Sequence, residues 1–228
     1  MATILQIETA TATCSAALSL NGETIALKEL AAQNIHAGSL TLFIDEVMQQ
    51  AGLAYADLDA IAVSKGPGSY TGLRIGVSTA KGICFAVDRP LIAISTLQMM
   101  AKGFLNTTAD YQGLVCPMID ARRMEVFTAL YDAELAEILP VTASIIDEQS
   151  YQEQLKDRHI TFIGDGAMKC SEVIVSPNAE FSAVSFNSAA HMSQLAFEAF
   201  KRQNFEDVAY FEPYYLKDFV VTQAKKKV

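Results

Sequence analysis

Residues 3–30 read TILQIETATATCSAALSLNGETIALKEL, and the fold turns on how this stretch is divided. Residues 3–9 make an apolar strand, and residues 13–20 and 23–30 make two more, joined at Asn21-Gly22. Asn-Gly between two such runs is the strongest short-range hairpin signal, because both residues of a tight type I′ turn need positive φ. Toward the C-terminus, a helix is predicted from about residue 34 to 50. Leu40, Phe43, Ile44, Val47 and Ala51 recur in it at helical spacing, and Gly52 stops it. Residues 59–64 form a buried strand. A glycine loop follows, then a helix over about 71–87, a short strand at 91–94 and a helix capped by Ser95 that runs to about Leu105. The order β-β-β-α-β-α-β-α suits a mixed five-stranded sheet with helices on its faces. That is the order of the ribonuclease-H-like fold.

The second half opens the same way. Residues 113–120 (GLVCPMID) are a strand ending in Asp120, as the first strand carries Glu8, and both lead at once into another strand, here residues 124–132. Residues 137–142 are a candidate third strand. Residues 147–156 read as a helix, 159–164 as a strand and 188–202 as an amphipathic helix. The repeat lies in topology, not in sequence. Two ribonuclease-H-like units give an α/β, actin-like (ASKHA) architecture. The small, Asn/Thr-rich residues around 103–112 mark the boundary. The expected domains are residues 1–105 and a smaller second unit, residues 106–228, whose C-terminal helix has the option of packing back on the first.

A chain of 228 residues that is 51% hydrophobic and 19% charged can bury a sizeable core. No apolar run approaches the ~20 residues of a membrane-spanning helix. The start MATILQIETA lacks the basic and cleavage-site features of a signal peptide. A cytoplasmic protein is expected, with no membrane association. The net charge of −9 repels a phosphate backbone at long range and argues against direct nucleic-acid binding by the whole surface. The basic tail Lys225, Lys226 and Lys227 reads as a solvated terminus. Cys14, Cys84, Cys116 and Cys170 show no CxxC spacing, so buried reduced thiols are expected.

The most distinctive run is SKGPGSYTGLRIGVSTAKG, residues 64–82. Gly66, Pro67 and Gly68 force a sharp turn, and Ser69 or Thr71 can cap the next helix. Gly72, Gly76 and Ala80 then fall at i, i+4 and i+8, a lane of small residues that lets another element approach closely. A glycine inside a helix costs about 1 kcal/mol relative to alanine, so close packing has to offset it. A glycine loop before a helix also holds phosphates. Neither G-x-x-x-x-G-K-[ST] nor G-x-G-x-x-G is present here, so spacing favours the structural turn.

The run GPGSYTGLRIG, residues 66–76, including Gly66, Pro67, Gly68, Thr71, Gly72 and Arg74, resembles the signature of the TsaB (YeaZ) family. The opening MATILQIETATATCSAALSL, the hairpin IDARRMEVFTALY and the ending FEPYYLKD resemble that family too, so the likeness covers essentially the whole chain. The resemblance implies an actin-like fold and a subunit that pairs with a larger paralogue, TsaD, which carries the transferase site, and with the ATPase TsaE. Together they move threonylcarbamoyl from its adenylate to the exocyclic amine of the adenosine next to the anticodon, in tRNAs reading codons that begin with adenine. It implies a non-catalytic role, contact with tRNA only through the complex, and homodimer formation by the isolated subunit. It also implies that the two long N-terminal helices pack on the same pair in the paralogue. On that basis Leu40, Phe43, Val47, Leu73, Val77 and Ala80 are the expected partner-interface residues. Read without the resemblance, extra apolar helix faces are more often additional core than interface.

The residues can be checked for chemistry. Where the catalytic paralogue has two metal-binding histidines four apart, this chain has Thr96 and Met100, neither a useful ligand for a hard or borderline cation. His36, His159 and His191 are far apart in sequence, so no metal site is expected. The two hairpins that would surround nucleotide phosphates, residues 8–13 and 120–123, lack glycine. No cofactor is expected, with weak nucleotide binding left open. Glu8 and Asp120 are retained as a carboxylate pair of a vestigial nucleotide cleft. The alternatives are an active actin-like ATPase or small-molecule kinase, and a peptidase, for which no nucleophile-base constellation is visible.

Overall fold

The computed structural model describes residues 1–32 and 36–217. In the first half, β1 (Thr3–Glu8), β2 (Thr13–Leu20) and β3 (Glu23–Ala31) form an antiparallel meander, followed by α1 (His36–Ala51), β4 (Ala60–Gly66), α2 (Tyr70–Val87), β5 (Leu91–Ser95) and α3 (Thr96–Thr107). The sheet order is β3-β2-β1-β4-β5, with β4 and β5 parallel to β1. Asn21 and Gly22 both have positive φ, 52° and 87°. Asn21 and Ala2 are tied both ways: the Ala2 N–H donates to Asn21 Oδ1 at 2.9 Å, and the Asn21 N–H donates to the Ala2 carbonyl at 2.9 Å. Gly52, at φ 67°, ends α1.

The second half repeats the plan with β6 (Leu114–Asp120), β7 (Glu125–Tyr131), β8 (Glu137–Ile145), the single-turn α4 (Gln152–Leu155), β9 (Ile160–Ile163), β10 (Ala179–Ser182) and α5 (Ser193–Lys201). Its sheet order is β10-β9-β6-β7-β8. Residues 147–156 were expected to be wholly helical. Instead, Asp147 accepts from Gln149 N and bonds Ser150, a local turn, and Tyr151 sits at φ 61°, which breaks the helix before α4.

The two halves interlock. α3 continues to Thr107, past the expected division at 105/106, and packs on β6 and β7 of the second sheet; α5 returns to pack on the first sheet. Together they fill a shared core between the sheets, with Ile4, Ile92, Leu97, Met100, Val115, Tyr131 and Met192 buried there. The outer face of the first sheet is covered by α1 and α2 over Leu5, Ile7, Leu18, Ile61 and Val63. The outer face of the second carries Leu114, Cys116, Val126, Leu130 and Phe162. All four cysteines are buried and unpaired. Among the described residues no helix is long and apolar enough to cross a membrane. The lysine tail and the first predicted residues of α1 lie outside the described residues.

Candidate functional site

The signature loop grips the turn between β1 and β2. Ser69 donates its N–H to the Ala10 carbonyl at 2.7 Å, and its hydroxyl caps α2 by accepting from Gly72 N at 3.3 Å. Thr9 Oγ1 donates to the Gly72 carbonyl at 2.8 Å. A Cβ added at Gly68, Gly72 or Gly76 would lie closer than 3.0 Å to Ala10 or Thr9. The small lane therefore receives the end of a strand from this chain. Gly66, at φ 113°, faces the carbonyl of Tyr214, whose N–H donates to Lys65 O at 2.7 Å. Tyr215 packs against Tyr70 with ring centroids 4.8 Å apart and planes tilted by 33°, and the Arg74 guanidinium lies over the Tyr70 ring, 5.3 Å from its centroid. Residues 206–217 thus form a strap. It begins at the edge of β5, where Glu206 N donates to Leu91 O at 2.8 Å, passes Lys81 and the signature loop, and ends with Lys217 paired to Glu125 of β7.

Between the halves lies a cavity of about 540 Å³, lined among others by Thr11, His36, Thr71, Phe127, Asp120 and Asp165. Glu8 does not line it. It is fully buried, and Ala10 N donates to Glu8 Oε1 at 2.6 Å. Burial pushes its carboxyl up to about 7. Of the expected Glu8–Asp120 pair, only Asp120 lines the cavity; Glu8 is buried. Asp120 is engaged instead with Lys169, and it accepts from Arg122 N at 2.9 Å. Burial works to raise the Asp120 carboxyl, but these donors prevail and hold it below the usual range. Asp165 accepts the Asp120 N–H at 3.0 Å, and burial raises its own carboxyl. Arg122 and Arg123 stand where a phosphate-binding hairpin would have glycine, and both take positive φ, 74° and 50°.

Thr96 and Met100 are both fully buried. His36 faces Thr13 O, His159 faces Glu180 and His191 faces Phe186 O. Among the described residues no cluster of three His, Cys, Asp or Glu gathers as a metal site, and no histidine bonds a serine or cysteine.

The six residues expected at the partner interface are in the core. Leu40, Phe43, Val47, Leu73, Val77 and Ala80 are at most 7% exposed, because their stripes are the ones α1 and α2 lay on the sheet. The outward faces carry different groups: Gly38, Leu42, Asp45 and Gln49 on α1, and Thr71, Arg74, Ser78, Gly82 and Phe85 on α2. Leu42 is 59% and Phe85 87% exposed. A Cβ added at Gly38 or Gly82 would meet nothing within 4 Å. Sequence reasoning passed over Gly82, although it lies off the lane of Gly72, Gly76 and Ala80, and that offset was the available signal.

The family model described as TsaD, tRNA N6-adenosine threonylcarbamoyltransferase, matches residues 29–226. The chain is 30% identical to the tRNA threonylcarbamoyladenosine biosynthesis protein TsaB of Haemophilus influenzae, over 96% of this chain and 94% of that protein. To the TsaB protein of Bacillus subtilis it is 33% identical, over 71% and 70%. Among solved structures, YeaZ from Pseudomonas aeruginosa superposes with a TM-score of 0.84 at 26% identity, covering 95% of this chain and 100% of that one. The activator of the 2-hydroxyisocaproyl-CoA dehydratase from Clostridium difficile, with bound ADPNP, gives 0.52 at 10% identity over 89% and 97%, a likeness of fold alone. The two interlocked sheets have the actin-like arrangement, and with relatives matched over nearly its whole length the chain belongs to the TsaB family.

Proposed function

We propose that this chain is a non-catalytic partner subunit in tRNA threonylcarbamoyladenosine biosynthesis, and that it binds a TsaD-like transferase through the outward faces of α1 and α2. The observation that carries this reading is Gly82 beside Phe85. A helix glycine with open space around it costs about 1 kcal/mol in the free chain, and a phenylalanine 87% exposed gains nothing in water. Both are accounted for if another helix packs there, since a glycine lets it come close. The same face pairs with itself in an isolated homodimer. A TsaE-like ATPase joins the assembly, and tRNA is reached only through it, in keeping with the net charge of −9.

Reconstitution tests the reading. Modification of tRNA by the transferase and the ATPase should require this chain, while this chain alone should neither modify tRNA nor hydrolyse ATP. Phe85→Glu should stay folded and lose the transferase; if it binds normally, the face is wrong. A second reading, a nucleotide in the cleft, is favoured by the 540 Å³ cavity at the start of α2. It requires ATP binding that Asp120→Asn alters; the absence of measurable binding would sink it.

A further inference from the structure

The strap roofs a second cavity, of about 810 Å³, walled by the ends of β4, β5 and β7 and by β8. A volume of this order takes a small molecule or a few side chains. None of its lining residues belongs to α1 or α2, so it is separate from the faces given above to the transferase. Its charges are one-sided. β8 contributes Glu137 and the strap Glu206 and Glu212, against Lys65 of β4 alone. Among the described residues no ion pair includes any of these four groups. A single surface acid is ordinarily left to water. These three converge on one concavity from two segments distant in the chain.

The uncharged lining suits the body of an organic cation. Tyr131 ends β7 at the cavity wall and is 2% exposed. Burial pushes its hydroxyl up to about 12, and the charge of Glu137 adds to this. Ser95, on the same wall, lies near enough to oppose the shift, but its own hydroxyl is already turned to Gln98 N at 3.5 Å. Among the described residues no hydrogen bond of ordinary geometry closes on the Tyr131 hydroxyl, and a buried polar group of this kind costs stability until a partner reaches it. Tyr214 is held by its backbone, whose N–H donates to Lys65 O at 2.7 Å, yet the residue is 45% exposed. Its ring is therefore fixed at the cavity without being covered. A ring face so placed attracts a cation by about 0.5–1 kcal/mol.

We propose that this cavity binds an organic cation, an alkylammonium or guanidinium group, between Glu137 of β8 and the strap carboxylates Glu206 and Glu212, with the Tyr214 ring against its body. Its N–H groups supply the donor that the Tyr131 hydroxyl lacks. Lys65 and the positive start of α3 stand together on the first half and turn the charge toward the strap and β8. The group comes either from a free polyamine or from a lysine or arginine side chain of another protein; the recognition is the same. Once bound, it bridges the strap to β8.

The test is calorimetric titration of the full chain, at low salt, with spermidine and with an acetylated and amidated Gly-Arg-Gly peptide. One site per chain is expected. Binding of spermidine alone assigns the site to a free polyamine, and binding of the peptide assigns it to a side chain. Glu137→Gln, Glu212→Gln and Tyr214→Leu, all at the cavity surface, should each weaken binding about twofold to fivefold. Glu172→Gln, which removes an exposed acid outside the cavity, should leave it unchanged. The proposal is overturned if neither probe binds at about 1 mM, or if the cavity variants bind like the wild type. Equal weakening by Glu172→Gln overturns it as well, since that result belongs to general attraction by an acidic chain.

Discussion

The same one-carbon change at two positions of α2 should have opposite effects. At Gly72 an alanine Cβ would press into the Thr9 carbonyl, closer than 3.0 Å, and the obstacle is strand backbone rather than a side-chain tip. Relief requires the end of β1 to move, which also strains the Thr9 Oγ1 to Gly72 O bond. Overpacking of this kind costs about 1–3 kcal/mol or more, and the lost hydrogen bond about 1. Against this stands a helix-propensity gain of about 1 kcal/mol. Gly72→Ala should therefore lose about 1–3 kcal/mol. At Gly82 nothing lies within 4 Å, so Gly82→Ala should show the gain of about 1 kcal/mol alone. Urea denaturation of the two variants and the wild type, followed by circular dichroism, measures both. If Gly72→Ala is as stable as the wild type, the signature loop does not hold Thr9 as described. If Gly82→Ala is destabilised in the isolated monomer, its surroundings are not open.

Val77→Glu would place a carboxylate at a site 4% exposed, and it should unfold the chain or cost several kcal/mol; a soluble variant with native melting would return Val77 to the surface. Glu8 contributes stability that is complete below pH 4.5 and is lost as pH rises to about 7, a difference of about 3 kcal/mol. The stability of Glu8→Gln minus that of the wild type should therefore grow over that window and level off above it; a constant difference would show an ordinary carboxyl. The four thiols are buried, with Cys84 and Cys116 pushed up to about 12. A thiol reagent at neutral pH should label none before unfolding and four after, and any native-state labelling faster than global unfolding contradicts their burial.

The elements legible in the sequence are those with local chemistry. Asn21-Gly22 dictates its turn, Ser69 and Ser95 cap their helices through Gly72 N and Gln98 N, and Gly52 stops α1. What was missed depends on distant partners. β10, four residues with Glu180 among them, exists because β9 pairs with it in parallel, and no periodicity announces so short an edge strand. The helix faces went wrong for a different reason. Leu40, Phe43, Ile44 and Val47 are the i, i+3, i+4, i+7 stripe that any sheet-covering helix buries. The family resemblance implies which helices meet a partner and says nothing of which side does. On the reading proposed above, the outward side is marked by Gly82 and the exposed Phe85, a signal that emerges only once the burial of the other stripes is known.

One pattern connects the signature loop and the cleft: in each, a group that could meet a phosphate or a cation is engaged by this chain's own groups. The N–H of Ser69, at the start of α2, is spent on the Ala10 carbonyl, although a helix start is a ready anion site. Asp120 has Lys169 as its cation. Glu8 is buried and does not line the cavity. Each engagement is also a tie between segments: the first joins loop to hairpin, and the second joins β6 to the turn after β9. On the non-catalytic reading proposed above, gaining chemistry would then require breaking structure. Lys169→Met should free Asp120 but, as a partly exposed pair, lower stability by no more than about 1 kcal/mol. If that variant gains magnesium-dependent ATP hydrolysis while the parent has none, the cleft is a blocked enzyme site. If it gains nothing, as this pattern requires, the missing glycines of the two hairpins matter as much as the lysine.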